Sequence, residues 1–131
     1  MTHSQSEVAA CIDHAVLKPN QTEHDLRENA AMCIKYNVAS LCVRPCDLAL
    51  AADLLSDSTV MVSTVLSFPH GADTTATKEF QAQQAIADGA QEIDMVMNIG
   101  QFLSGKFDRV REDIRAVTAV AHNSKVLVKV I

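Results

Sequence analysis

Tryptophan is absent from the 131 residues and tyrosine occurs once, although 48% of the chain is hydrophobic. Small and branched side chains, Ala and Val above all, must carry the apolar content, and these suit helices packed closely on a sheet. No basic block occurs, and the formal net charge is −5. That argues against nucleic-acid binding, which needs a basic patch or stripe. No apolar run approaches the ~20 residues that span a bilayer, so no membrane association is expected. Residues Met1 to Glu7 lack the charged start and apolar core of a secretory leader. Cysteines are present but not at framework spacings. Cys11, Cys33, Cys42 and Cys46 lie in apolar or alternating segments, which predicts reduced thiols in a cytoplasmic protein. Pro45 lies between Cys42 and Cys46 and no second Cys/His pair follows, so neither a metal nor another cofactor is expected.

A chain of this length fits a single domain with a real core. Its most informative stretch runs from Gln91 to Gly100. Asp94 stands there inside an apolar run, followed by Asn98 and Gly100. An ionised carboxylate in such a setting is costly unless a cation or several donors meet it. A second apolar run, Lys125 to Ile131, carries Lys129 in its interior and supplies a candidate cation. Opposite charges inside two buried strands suggest a reaction centre within a parallel sheet. The sequence ends at Ile131 within that run, which we read as the mark of a fragment, with residues 1–131 forming one domain.

Strand and helix signals alternate along the chain. Ala10 to Leu17 is a short apolar stretch ended by Pro19 and Asn20. Thr22 with Asp25 forms a capping-box pattern, ahead of Leu26, Ala30, Cys33 and Ile34 at helical spacing. Asn37 is the expected stop. Ser40 to Arg44 reads as a strand, and Asp47 as the opening of a helix to about Leu55. Val60 to Leu66 is a β-branched strand. The next helix is expected from Asp73 or Thr74 to Gly89, with Ala76, Phe80, Ala85 and Ile86 as its apolar face. Glu92 to Met97 follows as a strand, then Val110, Ile114, Val117 and Ala121 as an amphipathic helix. Val126 to Ile131 is the fifth strand.

Five strands joined by helices imply right-handed βαβ units and a parallel α/β sheet. An open doubly wound sheet and a (β/α)8 barrel compete. Alternation places Glu92, Asp94, Val96 and Asn98 on one face of the fourth strand, and Lys125, Leu127, Lys129 and Ile131 on one face of the fifth. Each strand thus pairs an apolar face with a mixed one. A doubly wound sheet should be apolar on both, so the pattern favours part of a TIM-type barrel with a polar lumen. A half-exposed edge strand is the alternative.

Five segments carry a family resemblance: Ile12–Pro19, Leu41–Pro45, Ser63–Gly71, Asp88–Gly100 and Leu127–Ile131. The block Glu92-Ile93-Asp94-Met95-Val96 with Asn98 and Gly100 is the most specific. In order and spacing these resemble deoxyribose-phosphate aldolase. The resemblance implies a class I aldolase on a (β/α)8 barrel, cleaving 2-deoxy-D-ribose 5-phosphate reversibly to acetaldehyde and D-glyceraldehyde 3-phosphate without metal. By it, Asp94 is the proton-relay acid, and Lys129 a site lysine on the fifth strand that does not form the Schiff base. Asp13, at the end of the first strand, orients the lysines. Cys42, Leu17, Val65 and Phe68 line the substrate side. The Schiff-base lysine, its assisting lysine and the phosphate-binding loops fall on strands six to eight, beyond Ile131. Ala15 and Arg44 depart from the family's usual residues. A long apolar edge at Val126 to Ile131 predicts homo-oligomers. The competing reading is therefore a catalytically incomplete, self-associating half-barrel, or one that only binds a small phosphorylated sugar or aldehyde.

Overall fold

Thr22 shows how closely local sequence sets the start of an element. In a computed structural model that describes residues 2–131, a short helix α1 (Gln5–Ala9) and strand β1 (Asp13–Val16) lead to helix α2 (Glu23–Tyr36). The Thr22 hydroxyl accepts from the Asp25 amide, and the Asp25 carboxylate accepts from the Thr22 amide. Two otherwise unpaired donors are thereby satisfied. Asn37, at φ 50°, ends α2 in the left-handed conformation, which Asn tolerates better than most residues. Strand β2 (Ser40–Val43), a 3-10 turn (Pro45–Asp47), α3 (Leu48–Leu55) and β3 (Met61–Leu66) follow. Then come α4 (Thr75–Ala87), β4 (Glu92–Met95), α5 (Ile99–Leu103), α6 (Phe107–Asn123) and β5 (Leu127–Val130).

Several expectations need correction. α1 and α5 were not anticipated. Each has five residues, too few to show a helical period, although Ser4 and Glu7 form a complete capping box. Asp47 precedes α3 but makes no capping bond, because its carboxylate is taken by Arg44 Nε at 2.6 Å. On α4 half of the expected apolar face holds, since Ala85 and Ile86 pack on the core, and half is displaced. Ala76 and Phe80 are exposed, and the buried positions are Lys78, Ala82 and Ala85. A lysine faces inward there because Asp113 of α6 meets it.

The strands form one parallel sheet in the order β1-β2-β3-β4-β5. Asp94 stands opposite Lys129, and Val65 opposite Asp94. The apolar core lies on one side only. Val16, Leu41, Val43, Val62, Leu66, Ile93 and Met95 pack on Leu26, Ala30, Leu48, Ala51, Ala82 and Val117 of the helices. Fully burying each Leu or Val is worth about 1.5–3 kcal/mol. Cys42 and Val65 are buried yet stand outside that cluster, on the opposite face.

One contact measures the curvature. Four strand spacings would put β1 and β5 about 19 Å apart in a flat sheet. Lys129 Nζ of β5 instead lies 2.6 Å from Asp13 Oδ2 of β1. The sheet is rolled around the polar face, with helices outside, as in a barrel wall. The doubly wound alternative is excluded, since it would place helices on both faces.

Candidate active site

The rolled sheet brings polar side chains from all five strands into one lumen. Lys129 is central. Its Nζ is 2.6 Å from Asp13 Oδ2, 3.0 Å from Asp94 Oδ1 and 3.1 Å from Glu92 Oε2. Apart from Lys129, no donor among the described residues reaches Glu92 Oε2 or Asp94 Oδ1. Ser40 Oγ donates to Asp13 Oδ1 at 2.6 Å and lies 3.2 Å from Ser63 Oγ. Cys42 Sγ closes the circuit by donating to Asp94 Oδ2 at 3.7 Å. Ser40, Ser63 and Glu92 are buried, so the lumen floor is built of matched polar groups rather than apolar ones.

The electrostatics follow from the count of charges. Three carboxylates surround one ammonium. Desolvation opposes the charge on Lys129, but its hydrogen bonds to Asp13, Asp94 and Glu92 outweigh it and raise the amine above the ordinary lysine range. Desolvation likewise opposes ionisation of Asp13, yet Lys129 and Ser40 hold its carboxyl below the usual aspartate value. Burial, with Asp94 adding to it against a hydrogen bond with Ser63, pushes the Cys42 thiol up to about 11. The cluster holds one ammonium among three acidic side chains, so acidic groups outnumber basic ones in the lumen. Such a site favours a second cation or a transferable proton.

Of the predicted residues, Asp13, Cys42, Asp94 and Lys129 meet in the lumen. Asp13 opens β1 rather than ending it. Leu17, Val65 and Phe68 line an adjoining cleft of about 370 Å³, together with Arg44 and Asp73. Val65 joins the two regions, as the register partner of Asp94. Arg44 is turned to Asp47 and to the Lys18 and Pro19 carbonyls. Glu92, Ser40 and Ser63 were not anticipated as site residues. The signal for Glu92 was present, because it shares a strand face with Asp94. Ser40 and Ser63 look like ordinary strand residues until the register is known. A larger cavity of about 460 Å³ between α1 and α2 is lined by Val8, Ile12, Met32 and Tyr36 on the helix side of the sheet, away from the charged groups.

Comparison with known proteins places this geometry in context. Residues 7–131 match the family model described as DeoC/LacD family aldolase. The chain is 47% identical over 122 residues to deoxyribose-phosphate aldolase 1 of Staphylococcus aureus strain MSSA476, covering 92% of this chain and 56% of that protein. It therefore spans about half the length of the curated relatives it matches. The structure superposes on that of an aldolase, QR15, with a TM-score of 0.89, 32% identity and coverage of 95% of this chain and 54% of that one. A deoxyribose-phosphate aldolase from Aeropyrum pernix, described as tetrameric, gives 0.88 at 25% identity, with 97% and 53% covered.

Proposed function

The chain belongs to the DeoC/LacD family of aldolases, and from that premise we propose that it handles protons in a Schiff-base deoxyribose-phosphate aldolase. The reaction is reversible cleavage of 2-deoxy-D-ribose 5-phosphate to acetaldehyde and D-glyceraldehyde 3-phosphate, with neither metal nor cofactor. The observation that carries this reading is the convergence of Asp13, Glu92 and Asp94 on Lys129.

The chemistry explains the arrangement. An imine-forming lysine must be neutral to attack a carbonyl. Lys129 is held in the charged form, so it acts as a fixed cation and leaves imine formation to another lysine, assigned by the resemblance to a sixth strand. The iminium formed there is positive, and the excess of acidic groups in the lumen stabilises it. Asp94 moves the proton on and off the enamine carbon that becomes the methyl of acetaldehyde. Asp13 and Glu92 keep Lys129 in place. Leu17, Val65 and Phe68 contact the sugar's carbon skeleton, and Cys42 packs beneath it. Assembly into a homo-oligomer belongs to the same reading.

The test is acetaldehyde release from 2-deoxyribose 5-phosphate by the protein carrying this sequence, with borohydride trapping and mass mapping of the adduct. The adduct should fall on a lysine other than Lys129, and Asp94→Asn should slow cleavage by about 10²–10⁴-fold. A stoichiometric adduct on Lys129, or an undiminished rate in Asp94→Asn, defeats the reading.

A further inference from the structure

Lys78 is the largest side chain with no solvent exposure, and it carries a charge in the helix layer outside the sheet. Its Nζ donates to Asp113 Oδ2 at 2.6 Å and to the Val96 carbonyl at 3.1 Å. Thr75 Oγ1 donates to the other Asp113 oxygen at 2.9 Å. An ion pair alone gives little reason for this residue, because a well-packed apolar pair of similar volume is often as stable. The contact with Val96 distinguishes it.

Val96 is the point where β4 leaves the sheet. Its amide donates to Leu66 at 3.0 Å. The last rungs between β4 and β5 flank it: the Ile131 amide donates to Met95 at 2.8 Å, and the Met97 amide to Ile131 at 2.9 Å. The opposed pair Asp94 and Lys129 lies immediately before those rungs. Lys78 thus grips the backbone two residues after Asp94 from the outer layer. Gly71 supports the same exit from the loop after β3, where an added Cβ would lie 1.9 Å from the Met97 carbonyl oxygen.

We propose that Lys78 is a positioning residue of the lumen site. Through the Val96 carbonyl it fixes the exit of β4 and so sets Asp94 against Lys129. The functional weight of this inference rests on the aldolase reading above, but its test does not depend on turnover.

The test is reductive methylation of the whole chain with formaldehyde and cyanoborohydride at fixed pH. Mass spectrometry gives the rate at Lys129 relative to exposed Lys125. The variant Lys78→Met/Asp113→Leu replaces the ion pair with apolar side chains and removes the donor to Val96. If Asp94 retreats from Lys129, the amine loses a stabilising charge, and its neutral fraction rises tenfold per unit fall in pKa. The expected result is a rise in the Lys129/Lys125 ratio of about fivefold or more, at a urea midpoint near the parent's. Thr75→Val keeps the charges and loosens only Asp113, so it should raise the ratio less, in the same direction, whether or not the double variant folds. Val117→Ala, a core truncation elsewhere on α6, should leave the ratio unchanged. An unchanged ratio in Thr75→Val and in the folded double variant overturns the proposal, as does an equal rise in Val117→Ala. Failure of the acetaldehyde assay in the parent protein would remove the aldolase reading while leaving these ratios to decide the positioning role.

Discussion

Lys129 and Asp13 are 116 positions apart in the chain, and their charged atoms lie 2.6 Å apart in the lumen. The contact joins the two outermost strands of the sheet across its concave face. It is at once a fold constraint and the anchor of the candidate site, because the same ammonium meets Asp94 and Glu92. Its energy is moderated by solvent. The Lys129 and Asp13 side chains remain 30% and 39% exposed, and partial exposure screens such pairs.

The pH dependence of stability follows from the two shifts. Asp13 has a folded-state pKa below its unfolded value. Its contribution is present above about pH 3.9 and is lost as pH falls through the lower folded value. Lys129 has a raised folded-state pKa. Its contribution is present below about pH 10.4 and is lost as pH rises through the higher folded value. The Asp13–Lys129 pair therefore stabilises fully between those limits. In Lys129→Met, Asp13 loses the cation that holds its carboxyl low while Asp94 and Glu92 stay on the same lumen face, so the Asp13 carboxyl rises. That variant should gain stability as pH falls from 7 toward 5, while the parent holds level from this cluster. Urea midpoints of both proteins across that range check the sign, and parallel curves would count against it.

Cys42 should be slow to alkylate. Its pKa of about 11 leaves roughly one thiolate in a thousand at pH 8. Exposed Cys46 should react with iodoacetamide far sooner under native conditions. The Cys42 rate should climb about tenfold per pH unit toward 11. Peptide mapping after timed quenching measures both, and equal rates at pH 8 would show that Cys42 is neither buried nor held beside Asp94.

Much of the fold was legible because short-range and periodic signals agreed. Thr22 with Asp25 marked the start of α2, Asn37 its end, and the spacing of Val110, Val117 and Ala121 the inner face of α6. The polar face of β4 and β5 was readable from alternation, so the approach of Asp94 to Lys129 was anticipated. What escaped depended on partners distant in sequence. Lys78 looks like a surface residue until Asp113 is placed against it. Phe80 looks like a core residue, although it is 65% exposed. Ser40 and Ser63 acquire a role only once register sets them beside Asp13 and Cys42. Hydropathy records what a residue costs to bury and is silent on what will meet it.

Thr22→Ala tests the local end of this range. It removes the hydroxyl that accepts from Asp25 and half of the capping box. The expected cost is about 1 kcal/mol in urea denaturation. The lumen should be untouched, because the cap lies at the start of α2, outside the sheet. A change in the Lys129 methylation rate in this variant would contradict that separation.

Gly71→Ala tests the distant end, with Gly105→Ala as its measure. Both glycines have positive φ, 65° and 71°, where an alanine costs about 1 kcal/mol of conformational energy. They differ in surroundings. A Cβ at Gly105 would meet nothing within 4 Å, whereas at Gly71 it would overlap the Met97 carbonyl. Backbone cannot swing aside as a flexible side chain does, so the loop after β3 must part from the exit of β4. Gly105→Ala should therefore lose about 1 kcal/mol, and Gly71→Ala at least about 2 kcal/mol more. The Met97 amide, bonded to Ile131, should also exchange with deuterium faster in Gly71→Ala alone. Equal losses in the two variants would mean that the close approach of Gly71 to Met97 yields at no cost, and that the exit of β4 is not held from that side.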